Sequence, residues 1–254
     1  MIEFIDIKKQ FSGQVILDGV TLSAQPGEIL YVIGTSGVGK SVLIKHVVGL
    51  MQPDSGRVIL DGQDITHLAE HQYFEVRKKC AMVFQHSTLF DSMTCAQNVA
   101  LPLRKHKDLT SERWLTPSEV KERALELLQR VEMEPFANKY PRELGDGLRK
   151  RVAVARALAL KPQYMLFDEP TTGLDPVSAR RVDALISALS AREGVTCMVV
   201  SHDLRSIFSV SHRIAMLYKG KVKAWGTPEE IKNHQDPIVA QFVSGRPDGP
   251  LETT

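Results

Sequence analysis

Residues 34–41 read GTSGVGKS, and this stretch decides the fold. It satisfies the pattern G-x-x-x-x-G-K-[ST], in which glycines let the backbone wrap a polyphosphate with its N–H groups pointing inward. Lys40 adds a positive charge for the β- and γ-phosphates, and the Ser41 hydroxyl is placed to bind Mg²⁺. The predicted phosphate-binding residues are Gly34, Thr35, Ser36, Gly37, Val38, Gly39, Lys40, Ser41 and Val42.

The segments on either side of these glycines have the order that a phosphate-binding loop requires. Residues 28–34, EILYVIG, are continuously apolar after the first position and predict a buried strand. Residues 40–50, KSVLIKHVVGL, predict a helix with apolar residues on one face. The competing interpretation is a glycine-rich turn with an incidental lysine. The strand–loop–helix order favours the phosphate site.

The rest of the chain divides into two kinds of sheet. In the first third, short alternating segments are separated by Gly and Pro turns, which predicts antiparallel strands. From residue 161 onward, fully apolar strands alternate with helical segments, which predicts an α/β fold with a parallel sheet covered by helices. The predicted antiparallel strands are 3–11, 15–24 and 56–65; the later strands are 164–169 and 195–201, followed by a hairpin that turns at Lys219-Gly220.

The middle of the chain is predicted to be helical. Thr116 and Glu119 form a capping box, and Pro117 stands at the first helical position. Residues 148–160 predict a second helix. The apolar stripe of the first helix, at a period of 3.6, consists of Val120, Ala124, Leu127, Leu128 and Val131.

Polar residues follow three of the predicted buried strands. The segment YMLFDEP ends in Asp168 and Glu169, and adjacent strand residues point to opposite faces. We therefore expect Asp168 to bind Mg²⁺ through water and Glu169 to orient and polarise an attacking water. Gln85 and His202 also follow apolar strands, where ligands bind in open parallel sheets. The alternatives are a polar strand end that caps a helix and two ordinary loop residues.

Composition narrows the functional classes. The chain has 254 residues, of which 43% are apolar and 24% charged, and a net charge of +2 does not argue for nucleic acid. Cys80, Cys95 and Cys197 are scattered, so we expect a reducing cytosol and neither disulfides nor a zinc site. The start MIEFIDIKKQF is acidic and alternating, so we do not expect a signal peptide there, and no apolar run is long enough to span a bilayer. Any work at a membrane is therefore expected to go through a partner.

Five features occur in the order typical of ATP-binding cassette (ABC) ATPases. They are GTSGVGKS, Gln85, ELGDGLRKRVAVARAL (143–158), YMLFDEPTTGLDP (164–176) and VSHD (200–203). The chain resembles this family over essentially its whole length. The resemblance implies one P-loop NTPase domain with a mostly parallel core sheet, an N-terminal antiparallel β subdomain and an inserted α-helical subdomain. The implied division is a RecA-like core with the β subdomain (1–85 and 161–235), a helical subdomain (86–160) and a C-terminal tail (236–254).

The resemblance also implies how the site is assembled. Two chains would meet head to tail and sandwich two ATP molecules with Mg²⁺, which Ser41, Gln85 and Asp168 would hold. Phe11 would stack on adenine, where Tyr is commoner, with a core phenylalanine as the alternative. Gln85 would also touch the attacking water and sense a permease. Asp175 would lie in the loop that crosses to the partner, and His202 would hold the γ-phosphate.

One motif departs from the family pattern. Where the family has L-S-G-G-[QM], residues 144–148, here called the signature turn, read LGDGL. Gly147 keeps the close backbone approach to the partner's γ-phosphate, but Gly145 lacks the hydroxyl, a loss of about 1.5–3 kcal/mol. Asp146 aimed at phosphate would add repulsion of about 1–4 kcal/mol. Alternatively, Asp146 points away and caps the helix, which is favourable by about 0.3–1 kcal/mol. The basic run 149–151 would neutralise it or contact the partner, or would be a solvated helix face.

Within the family the chain looks like the ATPase of MCE-type (Mla-type) lipid transporters, which maintain outer-membrane lipid asymmetry. This implies a permease homodimer, a periplasmic lipid-binding MCE protein, often a small STAS-domain subunit, and a place on the cytoplasmic face of the inner membrane, peripheral through the permease. The tail would embrace the neighbouring subunit, with disorder as the alternative. The resembling stretches are GKSVLIKHVVGL, QHSTLFDSMT, LRKRVAVARALAL, YKGKVKAWGTPEEI and DPIVAQFVSGRPDGP.

Three other functions compete with lipid transport. A slow or inactive nucleotide-binding subunit is favoured by Gly145 and Asp146, and opposed by the presence of Glu169 and His202. An importer ATPase for a small solute remains open, because substrate choice resides in other chains. A soluble cassette acting on DNA or the ribosome is opposed by the near-neutral charge and the single cassette.

Overall fold

The computed structural model describes residues 1–108 and 111–251. Its strands and helices alternate along the chain as an α/β protein. The strands are β1 (Ile2–Phe11), β2 (Gln14–Ala24), β3 (Ile29–Ile33), β4 (Ser55–Leu60), β5 (Gln63–Asp64), β6 (Cys80–Val83), β7 (Tyr164–Asp168), β8 (Thr196–Val200), β9 (Arg213–Tyr218) and β10 (Lys221–Gly226). The helices are α1 (Lys40–Lys45), α2 (Tyr73–Lys79), α3 (Cys95–Lys105), α4 (Pro117–Arg130), α5 (Asp146–Ala157), α6 (Pro176–Glu193), α7 (Leu204–Val210), α8 (Pro228–Lys232) and α9 (Pro237–Ser244).

The core sheet has the strand order β10-β9-β3-β8-β7-β6. All its neighbours are parallel except the β9–β10 hairpin, which turns at Lys219-Gly220 as predicted. Every residue of β3, β7 and β8 is buried, because helices cover one face of the sheet and α1 with the N-terminal strands covers the other. The carboxyl ends of these three strands therefore lie side by side at one edge.

The N-terminal segments form a second, antiparallel sheet with the order β2-β1-β4-β5. Its inner face shares an apolar cluster with α1 and with β3, β7 and β8 of the core sheet. The predicted combination of a mostly parallel sheet and an antiparallel β subdomain is confirmed. The helix predicted over residues 40–50 is shorter, however. It ends at Lys45, after which the amides of His46 and Val47 bond three residues back and the chain turns at Gly49.

Helices α3, α4 and α5 pack together on the other face of the core sheet. The capping box at Thr116 is present, and all five residues of the stripe predicted for α4 are buried. The helix predicted over 148–160 begins two residues earlier, at Asp146. It ends at Ala157 and continues as a 3₁₀ turn over Leu158–Leu160.

The C-terminal segment folds back on its own chain over the residues described. Asp236 caps α9. The side chain of Gln241, within α9, bonds to the turn that follows the helix. Its Oε1 accepts from the Leu251 amide at 2.6 Å, and Leu251 packs against the main apolar cluster. The last three residues of the predicted tail, 252–254, lie outside the described residues. None of the helices in the described ranges has the length and apolar character needed to cross a membrane.

Candidate active site

The loop after β3 requires glycine at two positions. Gly34 has φ +144°, and a Cβ there would lie 2.4 Å from the Leu217 carbonyl oxygen of β9. Gly39 has φ +102°, and its Cβ would lie 2.7 Å from Leu17 Cδ2 of β2. Both conformations are strained for other residues. These glycines thus let the loop pass closely between the two sheets as well as curl around a ligand.

Lys40 is the first residue of α1 and is buried. Its Nζ donates to the carbonyl oxygens of Gly34 and Thr35, at 2.9 Å each. Burial lowers the pKa of Lys40, while the carboxylates of Glu169 and Asp168 act to raise it. The ammonium group is therefore held inside the loop, near the carboxylates at the end of β7.

Ser41 and Asp168 join the loop to the end of β7. The Ser41 hydroxyl donates to Asp168 Oδ1 at 2.5 Å. Hydroxyl and carboxylate oxygens are hard ligands of the kind Mg²⁺ prefers, and this ion usually completes its coordination with water and substrate phosphates. Across residues 1–108 and 111–251 there is no group of three or more His, Cys, Asp and Glu side chains that could hold a metal alone. The donor set at Ser41 therefore fits Mg²⁺ bound together with a phosphate.

Glu169 directly follows β7 in a strained conformation. Its φ is +50°, and its amide donates to the Val200 carbonyl oxygen of β8 at 2.9 Å. The carboxylate Oε2 accepts from Thr172 Oγ1 at 2.8 Å and lies 2.9 Å from His202 Nδ1. Glu169 and Asp168 thus have different partners although they are adjacent in sequence.

Thr172 is a contact that sequence reasoning missed. It stands three residues after Glu169 in a turn, where its amide donates to the Glu169 carbonyl oxygen at 3.4 Å. Hydroxyl side chains in such turns often bond to residues nearby in the chain. The three-residue spacing between Glu169 and Thr172 was the signal in the sequence that could have revealed this contact.

Gln85 lies two residues beyond β6 with its side chain exposed. Its carbonyl oxygen accepts from Lys150 Nζ at 2.5 Å, and the Phe84 carbonyl oxygen accepts from the same Nζ at 3.0 Å. Lys150 belongs to α5 and is 2% exposed. Burial lowers the pKa of Lys150 to about 8, against the opposing effect of Asp146 and Asp168.

The solvated-face interpretation of the basic run is wrong for two of its three residues. Lys150 and Arg151 are both buried, and Arg151 Nη1 donates to the Val131 carbonyl oxygen at 3.1 Å. Only Arg149 remains partly exposed. Burial of the other two follows from the packing of α5 between the core sheet and the end of α4.

The signature turn begins α5 at its amino end. Gly145 is the N-cap residue, and no side chain caps the helix there. Asp146 is exposed and pairs with Arg149 Nη2 at 2.5 Å. The capping alternative for Asp146 is therefore wrong, because its carboxylate pairs with a side chain one turn along the helix instead of the free amides. The alternative in which the basic run neutralises Asp146 is confirmed at Arg149.

Gly147 lies against the first turn of α6, which Asp175 caps. A Cβ on Gly147 would lie 2.7 Å from Ser178 Oγ. Asp175 accepts from the amides of Val177 and Ser178 at 2.9 and 3.0 Å. The Ser178 side chain lowers the pKa of Asp175 most, and these two amides lower it further. The signature turn therefore packs on the first turn of α6, directly after Asp175.

Phe11 stands apart from these residues, at the end of β1. Its side chain is 42% exposed, and Lys9 Nζ lies 5.4 Å from the ring centroid. The core alternative is therefore wrong, and an exposed aromatic ring is available for stacking.

The chain matches known proteins over most of its length. The family model described as "ABC transporter" matches residues 17–172. The chain is 36% identical over 251 residues to the "Intermembrane phospholipid transport system ATP-binding protein MlaF" of Haemophilus influenzae, covering 99% of the chain and 93% of that protein. It is also 36% identical over 250 residues to the "Probable ribonucleotide transport ATP-binding protein mkl" of Mycobacterium leprae, covering 98% of the chain and 70% of that protein.

Solved structures show the same architecture. The "Dimeric structure of a post-hydrolysis state of the ATP-binding cassette MJ0796 bound to ADP and Pi" superposes with a TM-score of 0.81 and 32% identity. The match covers 90% of this chain and 99% of that one.

Proposed function

The chain belongs to the ABC transporter family and is an ATPase, and from this premise we propose that it is the ATP-hydrolysing subunit of a phospholipid transporter. One observation carries the hydrolytic part of the proposal. Glu169, next to the strand end that binds Ser41, is held by Thr172 and His202 at the carboxyl edge of the core sheet. The lipid part is supported by the match over 99% of the chain to a protein named for phospholipid transport.

Nucleotide binding is assigned to the loop after β3 and to Phe11. The amides of residues 34–42 would receive the phosphates, and Lys40 would exchange the loop carbonyls for phosphate oxygens. Phe11 would stack on the adenine ring. Ser41 and Gln85 would hold Mg²⁺ directly, with Asp168 acting through its water ligands. When bound, the ion neutralises charge on the phosphates.

Glu169 is assigned the attacking water. Its carboxylate would accept a hydrogen bond from that water and orient it toward the γ-phosphate. Thr172 fixes one lobe of the carboxylate, and His202 would contact the same carboxylate and the γ-phosphate. Both contacts hold the carboxylate in a single orientation, which lowers the entropic cost of reaching the transition state.

A head-to-tail pair of chains would complete each site. Gly145, Asp146 and Gly147 would face the nucleotide of the partner subunit, beside Asp175. The pairing of Asp146 with Arg149 supports an active enzyme over an inactive subunit, because the guanidinium offsets the carboxylate charge near phosphate. That dimer would drive a permease dimer and, through it, an MCE lipid-binding protein and a STAS-domain subunit.

The proposed location is the cytoplasmic face of the inner membrane, where the chain would be peripheral through the permease. The tail, residues 236–254, would reach the neighbouring subunit from there. Gln241 holds Leu251 of the same chain through its amide. For the tail to reach the neighbouring subunit, this contact would first have to break.

The test is ATP hydrolysis by the full chain assembled with its permease in lipid nanodiscs. Glu169→Gln should reduce kcat at least about 100-fold while ATP binding persists. Glu229→Gln, an exposed carboxylate in α8, is the matched control and should leave kcat unchanged. Full activity of Glu169→Gln would overturn the role proposed for this residue.

Ribonucleotide transport is the second candidate, favoured by the mycobacterial relative. The two substrates are distinguished by which one stimulates hydrolysis in the same nanodiscs. Phospholipid delivered by a lipid-binding protein should raise kcat under the first proposal. Stimulation by free ribonucleotides other than the ATP substrate, with none by phospholipid, would favour the second.

A further inference from the structure

We propose that Lys150 is a positioning residue for Gln85. Lys150 would fix residues 84–91, here called the Gln85 segment, to α5, the helix that carries the signature turn. This inference rests on the role proposed above for Gln85 in holding Mg²⁺ and the attacking water. Lys150 itself touches neither nucleotide nor metal in this assignment. It acts through the backbone of residues 84 and 85.

The contact joins two segments that are distant in sequence. Lys150 Nζ donates to the carbonyl oxygens of Phe84 and Gln85, which are 66 and 65 residues away. On α5 it lies one turn after Asp146. A single ammonium group thus connects the end of β6 to the start of the helix that faces the partner subunit.

The Gln85 segment borders an open cleft, into which it could move without the hydrogen bonds from Lys150. A cleft of about 510 Å³ lies beside it, and the Gln85 side chain is exposed. The cleft is lined by the residues 85–89 and by Asp146, Arg149, Lys150 and residues 172–174. Because the Gln85 segment borders this open space, the two carbonyl contacts of Lys150 restrain it against the wall formed by α5.

The chemistry of lysine suits this task. An ammonium group has three donors and no acceptor, so it can bond two neighbouring carbonyl oxygens at once. An apolar side chain of equal length would fill the same buried space at a lower desolvation cost but would not bind the loop backbone. The consequence is mechanical: a shift of α5 on dimer closure would move Gln85 with it.

The decisive experiment is a double-mutant cycle on kcat in the full chain assembled with its permease. Lys150→Met keeps the length of the side chain and removes the donors. It should lower kcat about tenfold, with the ATP dissociation constant changed less than about threefold. Gln85→Ala should also lower kcat. The double variant should be no slower than Gln85→Ala alone, because Lys150 acts only through Gln85.

Lys150→Arg is the conservative variant, since the guanidinium can also donate to both carbonyl oxygens. It should recover most of the activity lost in Lys150→Met. Hydrogen exchange supplies a readout that needs no turnover: Lys150→Met should speed exchange in residues 84–91 and leave the rest of α5 protected. Thermal unfolding of each variant reports whether it is folded.

Three results would overturn the inference. The first is a double variant whose kcat falls by the product of the two single effects, about 100-fold for two tenfold losses. The second is faster exchange throughout α5, which would make Lys150 a general packing residue. The third is full activity of Gln85→Ala, which would remove the role proposed for Gln85 while leaving the Glu169→Gln test of hydrolysis intact.

Discussion

The Cα atom of Gly147 faces the side chain of Ser178 so closely that a Cβ on Gly147 would lie 2.7 Å from Ser178 Oγ and 2.8 Å from Ser178 Cβ. Gly147 belongs to the signature turn, and Ser178 to the first turn of α6, which Asp175 caps. Position 147 therefore needs glycine for packing within one chain, in addition to any approach of its amide to phosphate.

Gly147→Ala should destabilise the chain by about 1–3 kcal/mol, because the added methyl group forces α5 and α6 apart. Urea unfolding at constant m-value would measure the change. Gly145→Ala is the matched control. A Cβ there meets nothing within 4 Å, so its stability should differ little from that of the unchanged chain.

The same clash predicts a rescue. Ser178→Gly removes both atoms that the new methyl group would meet, so the double variant Gly147→Ala/Ser178→Gly should be more stable than the sum of the two single changes implies. If the changes in the free energy of unfolding are strictly additive, α5 and α6 have already moved apart in Gly147→Ala, and the new methyl group no longer meets Ser178.

Ser41→Ala should raise the free Mg²⁺ concentration that gives half-maximal hydrolysis by at least about tenfold. The reason is that the change removes a predicted oxygen ligand of the ion, which also bonds Asp168. The measurement is kcat at saturating ATP over a titration of free Mg²⁺. Ser41→Thr keeps the hydroxyl and should retain the original midpoint. Equal midpoints for Ala and Thr would contradict the metal role of Ser41.

Thr172→Val should lower kcat about tenfold, since it removes the hydroxyl that donates to the Glu169 carboxylate while preserving the shape of the side chain. Steady-state hydrolysis with separate determination of KM would show the loss in kcat alone. Thr172→Ser keeps the donor and should stay close to the unchanged chain. A loss of equal size in Thr172→Ser would point to packing of the methyl group.

Arg149→Ala should weaken ATP-dependent dimerisation, because it leaves the Asp146 carboxylate unpaired near the partner's phosphates. Sedimentation of the Glu169→Gln chain with ATP would report the dimer. The effect should shrink at about 0.5 M salt, where charges are screened within a few ångströms. In an Asp146→Asn background the same change should have little effect. An equal loss there would mean that Arg149 contacts the partner directly.

Gln241→Ala should release the segment 246–251 from α9, because Gln241 Oε1 accepts from the Leu251 amide and its Nε2 donates to the Arg246 carbonyl oxygen. Hydrogen exchange of amides 246–251 should become faster while that of α9 changes little. Gln235→Ala, an exposed glutamine just before α9, is the control and should leave exchange unchanged. Unchanged exchange in Gln241→Ala would show that Leu251 packing alone holds the segment.

The parts of the site that could be predicted from sequence are local. Residues 34–41 carry their own pattern, and Asp168 and Glu169 follow a recognisable apolar strand. The predicted capping residue Thr116 acts on a helix that begins immediately after it. In each case the groups that interact lie within a few residues, so spacing along the chain is enough to reveal them.

The failures have a different cause. The capping role predicted as one alternative for Asp146 is wrong, whereas the alternative in which the basic run neutralises it is confirmed at Arg149. Lys150 and Arg151 follow it in a run of basic residues that looks solvated, yet both are buried. Which face of a helix is covered depends on the elements that pack against it, and a run of charges does not carry that information.

By itself, therefore, the sequence determined the phosphate-binding loop, the alternation of strands and helices, and the residues at the strand ends. Tertiary structure alone decided that His202 lies against Glu169, that Lys150 holds the Gln85 segment, and that Gly147 packs on Ser178. Most of these contacts join side chains or backbone that are tens of residues apart. They exist only because the core sheet places the ends of β6, β7 and β8 at one edge and α5 packs against it.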